Sequence, residues 1–287
     1  MQKIPTISFN DLKNRNSDVL EFLTKTLENN GFFIINDHSI DTKLIEKVFS
    51  VAEDIFNLPY ETKYKYHLKG SNGARGYTPY GIETALNEKV ADQKEFWHQG
   101  STTNNSLMPN LYIDEVEDFE VLDTLYSEFE TMGSEVLKAF SNFNIKYNSD
   151  LVDSAVDGNS ILRLIHYPAT EGGNEQRARA HSDVNLITLL IGGNAAGLEA
   201  QDKQGNWVEC GCNVGEIICN IGDMLQIMSN EKLTSTPHRV ISKGNDNKAR
   251  YSIPFFLHPR PEIILNKEGD LTAEKFLDKR VRDIKLK

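Results

Sequence analysis

The hydrophobic pattern of the chain changes period near residue 159. Before that point apolar residues recur every three or four positions, the spacing of one helix face. Residues 9 to 30 read as helix. "GFFIIN" (31 to 36) reads as a buried strand, and a second helix starts at Asp41, a plausible N-cap, carrying Leu44, Val48, Ala52, Ile55 and Phe56 until Pro59 ends it. A long helix is expected from about 117 to 146, with Phe119, Leu122, Leu125, Phe129, Met132, Val136 and Phe140 on one side. From 159 the pattern becomes short apolar runs between turn signals: "SILRLIHYP", "NLITLLI", "GLEAQD", "WVEC", "EIICNIG", "MLQIMS", "PHRVIS" and "RYSIPFFL". About eight short strands predict a sandwich or barrel. "TAEKFLDKRVRDIK" predicts a terminal amphipathic helix. Residues 68 to 115 fit neither period, and their Gly, Asn, Tyr and Pro content ("GARGYTPYG", "KEFWHQG") predicts ordered loops over a site.

The expected division is an N-terminal helical and strand region (1–150), a β core (151–265) and a C-terminal helix (266–287), an α+β chain with a mainly β core. A net charge of −11 disfavours nucleic acid or an anionic membrane surface as partner, since both demand a basic face. A small-molecule substrate and a monomer are expected. No apolar stretch approaches 18 residues and "MQKIPTISFN" lacks a signal-peptide core, so the expected compartment is the cytoplasm. Cys210, Cys212 and Cys219 are too few and too odd in number for a disulfide framework. "CGC" lacks a second cysteine pair for a metal site and reads as part of a strand.

Candidate chemistry begins at "ARAHSDVNLITLLIGG" (178 to 193). With 7 histidines and 42 acidic residues in 287, chance alone supplies about one His-x-Asp/Glu pair, so the spacing means little by itself. On a strand His181 and Asp183 would point the same way, with Cα atoms about 6.6 to 7 Å apart, and could hold one ion. His238 in "STPHRVIS" offers a third ligand. Two imidazoles and a carboxylate on one face of an octahedron suit non-haem Fe(II) and oxygen chemistry, and the H-E-x-x-H helix motif of many zinc enzymes is absent. The alternative is a pair of hydrogen-bonded core histidines.

In "ARYSIPFFLHP", Arg250 and Ser252 share a strand face with Pro254 and Phe256. A planar guanidinium beside a hydroxyl on a buried strand suits a bound carboxylate, and the alternative is a structural ion pair. In "ILRLIHYP", Ile161, Arg163, Ile165 and Tyr167 share a face, so Tyr167 and Arg163 could reach the same anion. His166 then points away. It reads as structural, as do His38, His67, His98 and His258.

These segments resemble, in order and over nearly the whole chain, the Fe(II)- and 2-oxoglutarate-dependent dioxygenases of the isopenicillin N synthase-like branch. "GFFIINDHSI", "NLPYETKYKY", "GARGYTPYG" and "KEFWHQG" are similar to that family's N-terminal half. "HSD", "GLEAQD", "NIGDMLQIMSN", "STPHRV" and "RYSIPFF" are similar to its catalytic half. The resemblance implies a double-stranded β-helix (jelly roll), with His181, Asp183 and His238 as iron ligands and Arg250 and Ser252 on the far carboxylate of 2-oxoglutarate, assisted by Tyr167. It implies decarboxylation of 2-oxoglutarate to succinate and CO2 with O2, coupled to hydroxylation, desaturation or cyclisation of a small organic substrate, with ascorbate as a candidate reductant. Two departures stand out. The family often has Asn-x-Tyr where this chain has Ile165-His166-Tyr167, which makes Arg163 a rival of Tyr167, and Ser39 replaces a Gly.

Within the family, isopenicillin N synthase and aminocyclopropanecarboxylate oxidase use R-x-S for the substrate's carboxylate and need no 2-oxoglutarate, so an oxidase is one alternative. A non-catalytic jelly roll binding a metal or ligand is another. For the substrate, Arg75, Tyr77, Tyr80, Phe96, Trp97 and Phe256 suggest aromatic walls and one cation, which suits a small organic acid or amino-acid-like metabolite with its carboxylate on Arg75. The competing reading pairs Arg75 with Glu83 or Glu95.

Overall fold

The computed structural model describes residues 4–71, 73–84, 91–104, 108–140, 150–169, 176–191, 197–242 and 249–284. The chain begins with β1 (Thr6–Ser8), α1 (Phe9–Lys13) and α2 (Ser17–Asn29), so the helix expected across 9–30 is two. Arg15 sits between them at φ 55, which no helix accommodates, and the Asn16 side chain restarts the helix by accepting from the N–H groups of Asp18 and Val19. Next come β2 (Phe32–Asn36) and α3 (Thr42–Asn57). Asp41 caps α3 through the Lys43 N–H, and Leu58 and Pro59 end it as expected.

The region read as irregular contains α4 (Tyr60–Tyr64) and two strands, β3 (Gly76–Thr78) and β4 (Glu95–Gln99). These strands add to the edge of the main sheet, where ladder partners compensate for weak local propensity. The long helix α5 covers Val121–Ala139, and the expected stretch from 141 to 146 lies outside the described residues. Beyond it lie α6 (Leu151–Ala155), β5 (Ile161–Tyr167), β6 (Gln176–His181), β7 (Ile187–Ile191), β8 (Leu198–Gln201), β9 (Trp207–Glu209) and β10 (Ile217–Ile221). "MLQIMS", expected as a strand, is instead the short helix α7 (Asp223–Met228), whose buried Met224, Leu225 and Met228 have helical spacing. The chain closes with β11 (His238–Ile241), β12 (Arg250–Ser252), β13 (Pro254–Leu257) and α8 (Ala273–Asp283).

Among the described residues the strands form two sheets. The larger runs β1-β2-β10-β7-β13-β5-β4-β3, with β12 also on β5, and the smaller runs β6-β11-β8-β9. The N-terminal region, expected to pack on the β core, supplies four strands to the larger sheet. Between the sheets lies an apolar cluster that includes Phe32, Ile34, Phe96, Ile165 and Tyr167 from one and Ala178, Leu198, Ala200 and Val240 from the other. On its other face the larger sheet packs Leu162, Leu164, Leu189 and Phe255 against α3 and α5 in the main core. Two facing sheets closed in this way are a double-stranded β-helix. Cys210, Cys212 and Cys219 are free thiols, two of them buried.

Candidate metal centre and cavity

His181 is the last residue of β6 and His238 the first of β11, and the two are direct cross-strand partners. Their ring centroids lie 4.4 Å apart. Asp183 has left the strand, so it does not share a strand face with His181 as the spacing suggested. The turn after β6 brings it back: the Asp223 N–H donates to the Asp183 carbonyl (2.7 Å) and the Asp183 carboxylate comes within 3.7 Å of His238 Nε2. One donor atom from each of the three residues falls within 4.8 Å of the other two.

The donors are oriented by the backbone around them. His181 Nδ1 lies 2.7 Å from the Arg179 carbonyl and His238 Nδ1 3.2 Å from the Thr236 carbonyl. A carbonyl only accepts, so Nδ1 carries the proton in both rings and each Nε2 presents a lone pair. Asp183 Oδ2 accepts from Thr188 Oγ1 (2.6 Å) and Asn220 Nδ2 (2.8 Å), which leaves Oδ1 for the ion. Burial, with the neighbouring His238 second, lowers the His181 pKa to about 4. Burial alone would raise that of Asp183, but the two imidazoles and the Asn220 and Thr188 hydrogen bonds hold it below its ordinary value. At neutral pH His181 is therefore a neutral imidazole beside an ionised Asp183, the protonation states a divalent cation requires of them.

A cavity of about 530 Å³ opens beside His181 and Asp183. Its wall follows strand parity. β5 and the β12–β13 pair share one continuous register, Arg250 opposite Tyr167, Ser252 opposite Ile165 and Phe256 opposite Ile161, and directly opposed residues face the same way. The inward face of β5 carries Ile161, Arg163, Ile165 and Tyr167, as the sequence predicted. On β4, Phe96 and His98 stand opposite Ile165 and Arg163 and share this face, while Trp97 stands opposite Leu164 on the other.

That parity corrects most of the substrate residues expected from sequence. Of the six, Phe256 lines the cavity and Phe96 lies behind it, its ring centroid 4.2 Å from the Arg163 guanidinium carbon. Tyr77 is paired with Trp97, and both face the helical layer. The Tyr77 hydroxyl donates to Glu95, and Trp97 packs on Tyr66 and Phe119. Tyr80 is 49% exposed and outside the described cavity wall. Arg75 lies one step before Gly76, hence on the outward face too. Its guanidinium is wedged against the Gly100 backbone, where a Cβ would stand 2.0 Å from Cζ, and it pairs with neither Glu83 nor Glu95 among the interactions present.

Lys94 and Asp92, which sequence reasoning did not assign, join the expected Arg163 at the cavity wall. Lys94 lies 2.6 Å from Glu83 and 3.1 Å from Asp92, and Arg163 Nη1 lies 3.1 Å from Glu83. His98 donates from Nδ1 to the Gly73 carbonyl and accepts at Nε2 from Arg163 Nε. The signal was the alternation Lys94, Phe96, His98 in "KEFWHQ". His98 and His258, read as structural from sequence, both line the cavity, whereas His38, His67 and His166 are engaged with Gly215, Tyr77 and Glu95. Arg250 is buried further along the same face, its Cζ 5.9 Å from the Tyr167 ring centroid, and its Nε and Nη1 have no hydrogen-bond partner among the described residues. Burial, foremost, lowers its pKa. An arginine buried with two open donors fits a carboxylate ligand.

Residues 158–259 match the 2OG-Fe(II) oxygenase superfamily, and residues 4–115 match the family described as "non-haem dioxygenase in morphine synthesis N-terminal". The chain is also similar to the crystal structure of a 2OG-Fe(II) oxygenase family protein from Caulobacter crescentus, with 34% identity, a TM-score of 0.83 and 99% of this chain and 100% of that one covered. The chain belongs to the 2OG-Fe(II) oxygenase superfamily. Other superfamily relatives include a 2-oxoglutarate-Fe(II) type oxidoreductase of Metarhizium rileyi, 30% identical over 83% of this chain and 74% of the relative. A homoarginine-6-hydroxylase of Arabidopsis thaliana is 29% identical over 91% of this chain and 82% of the relative. Like other superfamily members, this chain is a 2-oxoglutarate- and Fe(II)-dependent oxidoreductase with a jelly-roll core. Among the described residues no helix is long and apolar enough to cross a membrane.

Proposed function

We propose that His181, Asp183 and His238 hold the Fe(II), and that Arg250, with Ser252 and Tyr167 beside it, takes the far carboxylate of 2-oxoglutarate. The observation that carries this reading is the set of pre-oriented free donors: two Nε2 lone pairs, one Asp183 oxygen, and two open N–H groups on a buried arginine. Arg163, the rival for the cosubstrate, has Nε on His98 and Nη1 on Glu83, which favours Arg250. Bound together, Fe(II) and 2-oxoglutarate supply oxygen activation, releasing succinate and CO2 and oxidising a C–H bond of the primary substrate. The Arg179 and Thr236 carbonyls keep both imidazoles in the metal-binding tautomer. Thr188 and Asn220 keep Asp183 ionised and aimed. The substrate occupies the adjacent cavity.

The net charge of −11 supports a small molecule rather than nucleic acid as partner, and a monomer in the cytoplasm is the simplest accompanying reading. The test is succinate release from 2-oxoglutarate with Fe(II), O2 and ascorbate. The wild type should show it and bind one iron per chain, and His238→Ala should lose both. Wild-type iron content and succinate release in His238→Ala would overturn the ligand assignment.

A further inference from the structure

Extended two pairs beyond the ladder, the register that joins Phe256 to Ile161 sets His258 opposite Asn159. The His258 N–H donates to Ser160 Oγ at 3.1 Å, which ties the two segments together there. Asn159, Ile161, Arg163, Phe256 and His258 therefore project from one face, and all five line the cavity beside His181 and Asp183.

The polar atoms of this patch have fixed roles. His258 Nδ1 lies 3.1 Å from the Phe256 carbonyl and must donate to it, so Nε2 is a lone-pair acceptor, with no partner among the described residues. Arg163 is locked by its Nε bond to His98, its Nη1 contacts with Glu83 and the faces of Phe96 and Phe256, 4.2 and 5.2 Å from its Cζ. Its Nη2 is left as a donor. The Asn159 carboxamide, with no partner among the described residues, offers one of each.

The charges of the wall are already answered. Lys94 and Arg163 meet Glu83, Lys94 also meets Asp92, and Arg280 lies 2.7 Å from Asp223. A carboxylate placed on Arg163 would face Glu83 across the same guanidinium and set its lone pairs against that of His258. A hydrocarbon would leave two acceptors and two donors unpaired. A group with an N–H beside a C=O satisfies both.

We propose that the primary substrate presents a neutral amide-type group, as in a lactam, an imide or an amide-containing heterocycle, read by His258 Nε2, Arg163 Nη2 and Asn159. This rests on the oxygenase reading of the same cavity. It replaces the carboxylate on Arg75 expected from sequence, because Arg75 faces the helical layer. A cavity of about 530 Å³ suits a small metabolite.

Three rings of one size test the assignment: glutarimide, cyclohexanone and cyclohexanecarboxylate, titrated by ligand-detected NMR into the full chain loaded with Fe(II) and 2-oxoglutarate under nitrogen. Glutarimide should bind about tenfold more tightly than the carboxylate, and more tightly than the ketone. His258→Leu and Asn159→Leu should each shrink that preference several-fold, and His258→Gln, which keeps an acceptor, should retain it. Equal or tighter binding of the carboxylate, no binding of any ring, or an intact preference in both leucine variants would overturn the proposal. Succinate release is assayed separately. Its absence alongside an intact imide preference would strike the oxygenase reading and leave the recognition patch standing.

Discussion

At the scale of single residues, the decisive feature is how few polar atoms on the inward face are left open. Asp183 spends Oδ2 on Thr188 and Asn220 and keeps Oδ1, while each metal-facing histidine spends Nδ1 on a carbonyl two residues earlier. Arg250 is the opposite case, buried with Nε and Nη1 unpartnered. A charge-assisted bond to a buried arginine contributes roughly 1.5 to 3 kcal/mol, or about a ten- to hundredfold change in affinity. Arg250→Gln should raise the 2-oxoglutarate KM by that factor with iron content unchanged. An unaltered KM, measured by succinate release against cosubstrate concentration, would transfer the cosubstrate role to Arg163.

Among the elements, α8 closes one side of the cavity wall with few buried residues. Ala273 is its one buried residue among those described, yet Leu277, Asp278, Arg280 and Val281 all face the cavity. Its start is fixed by the Ala273 and Glu274 N–H groups on the Ile263 and Pro261 carbonyls, Phe276 and Leu277 pack against the core, the Ile284 carbonyl accepts from the Thr84 N–H, and Arg280 meets Asp223. Asp223 also accepts from Ser182, which lies between His181 and Asp183, so this contact ties the helix to the loop that carries the two proposed ligands. The pair is partly exposed and contributes about 1 kcal/mol. Arg280→Ala should then speed amide exchange across α8 about fivefold in hydrogen-exchange mass spectrometry, with the β core unaffected. Equal exchange in variant and wild type would show that packing alone holds the helix.

On the scale of the whole molecule, a buried ionic network joins the segment around Glu83 and Asp92 to the larger sheet. Burial would raise the Glu83 pKa, but Arg163 and Lys94 overcome it and hold the carboxyl well below the ordinary 4.5. A depressed folded pKa means that the unfolded chain takes up the proton first. The stabilisation is therefore complete above about pH 4.5 and is lost progressively as pH falls below it. Glu83→Gln leaves Lys94 and Arg163 short of a counter-charge, at a cost of about 3 to 5 kcal/mol near neutrality. Urea unfolding at pH 7 and at about pH 3.5 should show the variant's deficit shrinking in acid. A deficit independent of pH would mean that Glu83 acts through packing rather than charge.

Much of the chain was legible in order. The amphipathic periods located α3, α5 and α8, the alternating runs located most strands of the core, and parity placed Arg163, Ile165 and Tyr167 inward and His166 outward, as found. Those features depend on local periodicity and on burial of one face, which a sequence encodes directly. Other features were hidden because they depend on partners distant in the chain. β4 exists because β5 offers it a ladder and β3 because β4 does, and α7 could not be told from a strand across six residues. Asp183 reaches His238 through a turn and not along a strand. Arg75, Tyr77 and Trp97 looked like a pocket because they are close in sequence and aromatic or cationic. Their outward direction was set by the register of β3 on β4 and of β4 on β5. The sequence by itself determined which residue types could serve a metal and a carboxylate. Only the tertiary structure decided which of them face the same space, since a strand's register on its neighbour, fixed by contacts across the whole sheet, selects the side to which each residue points.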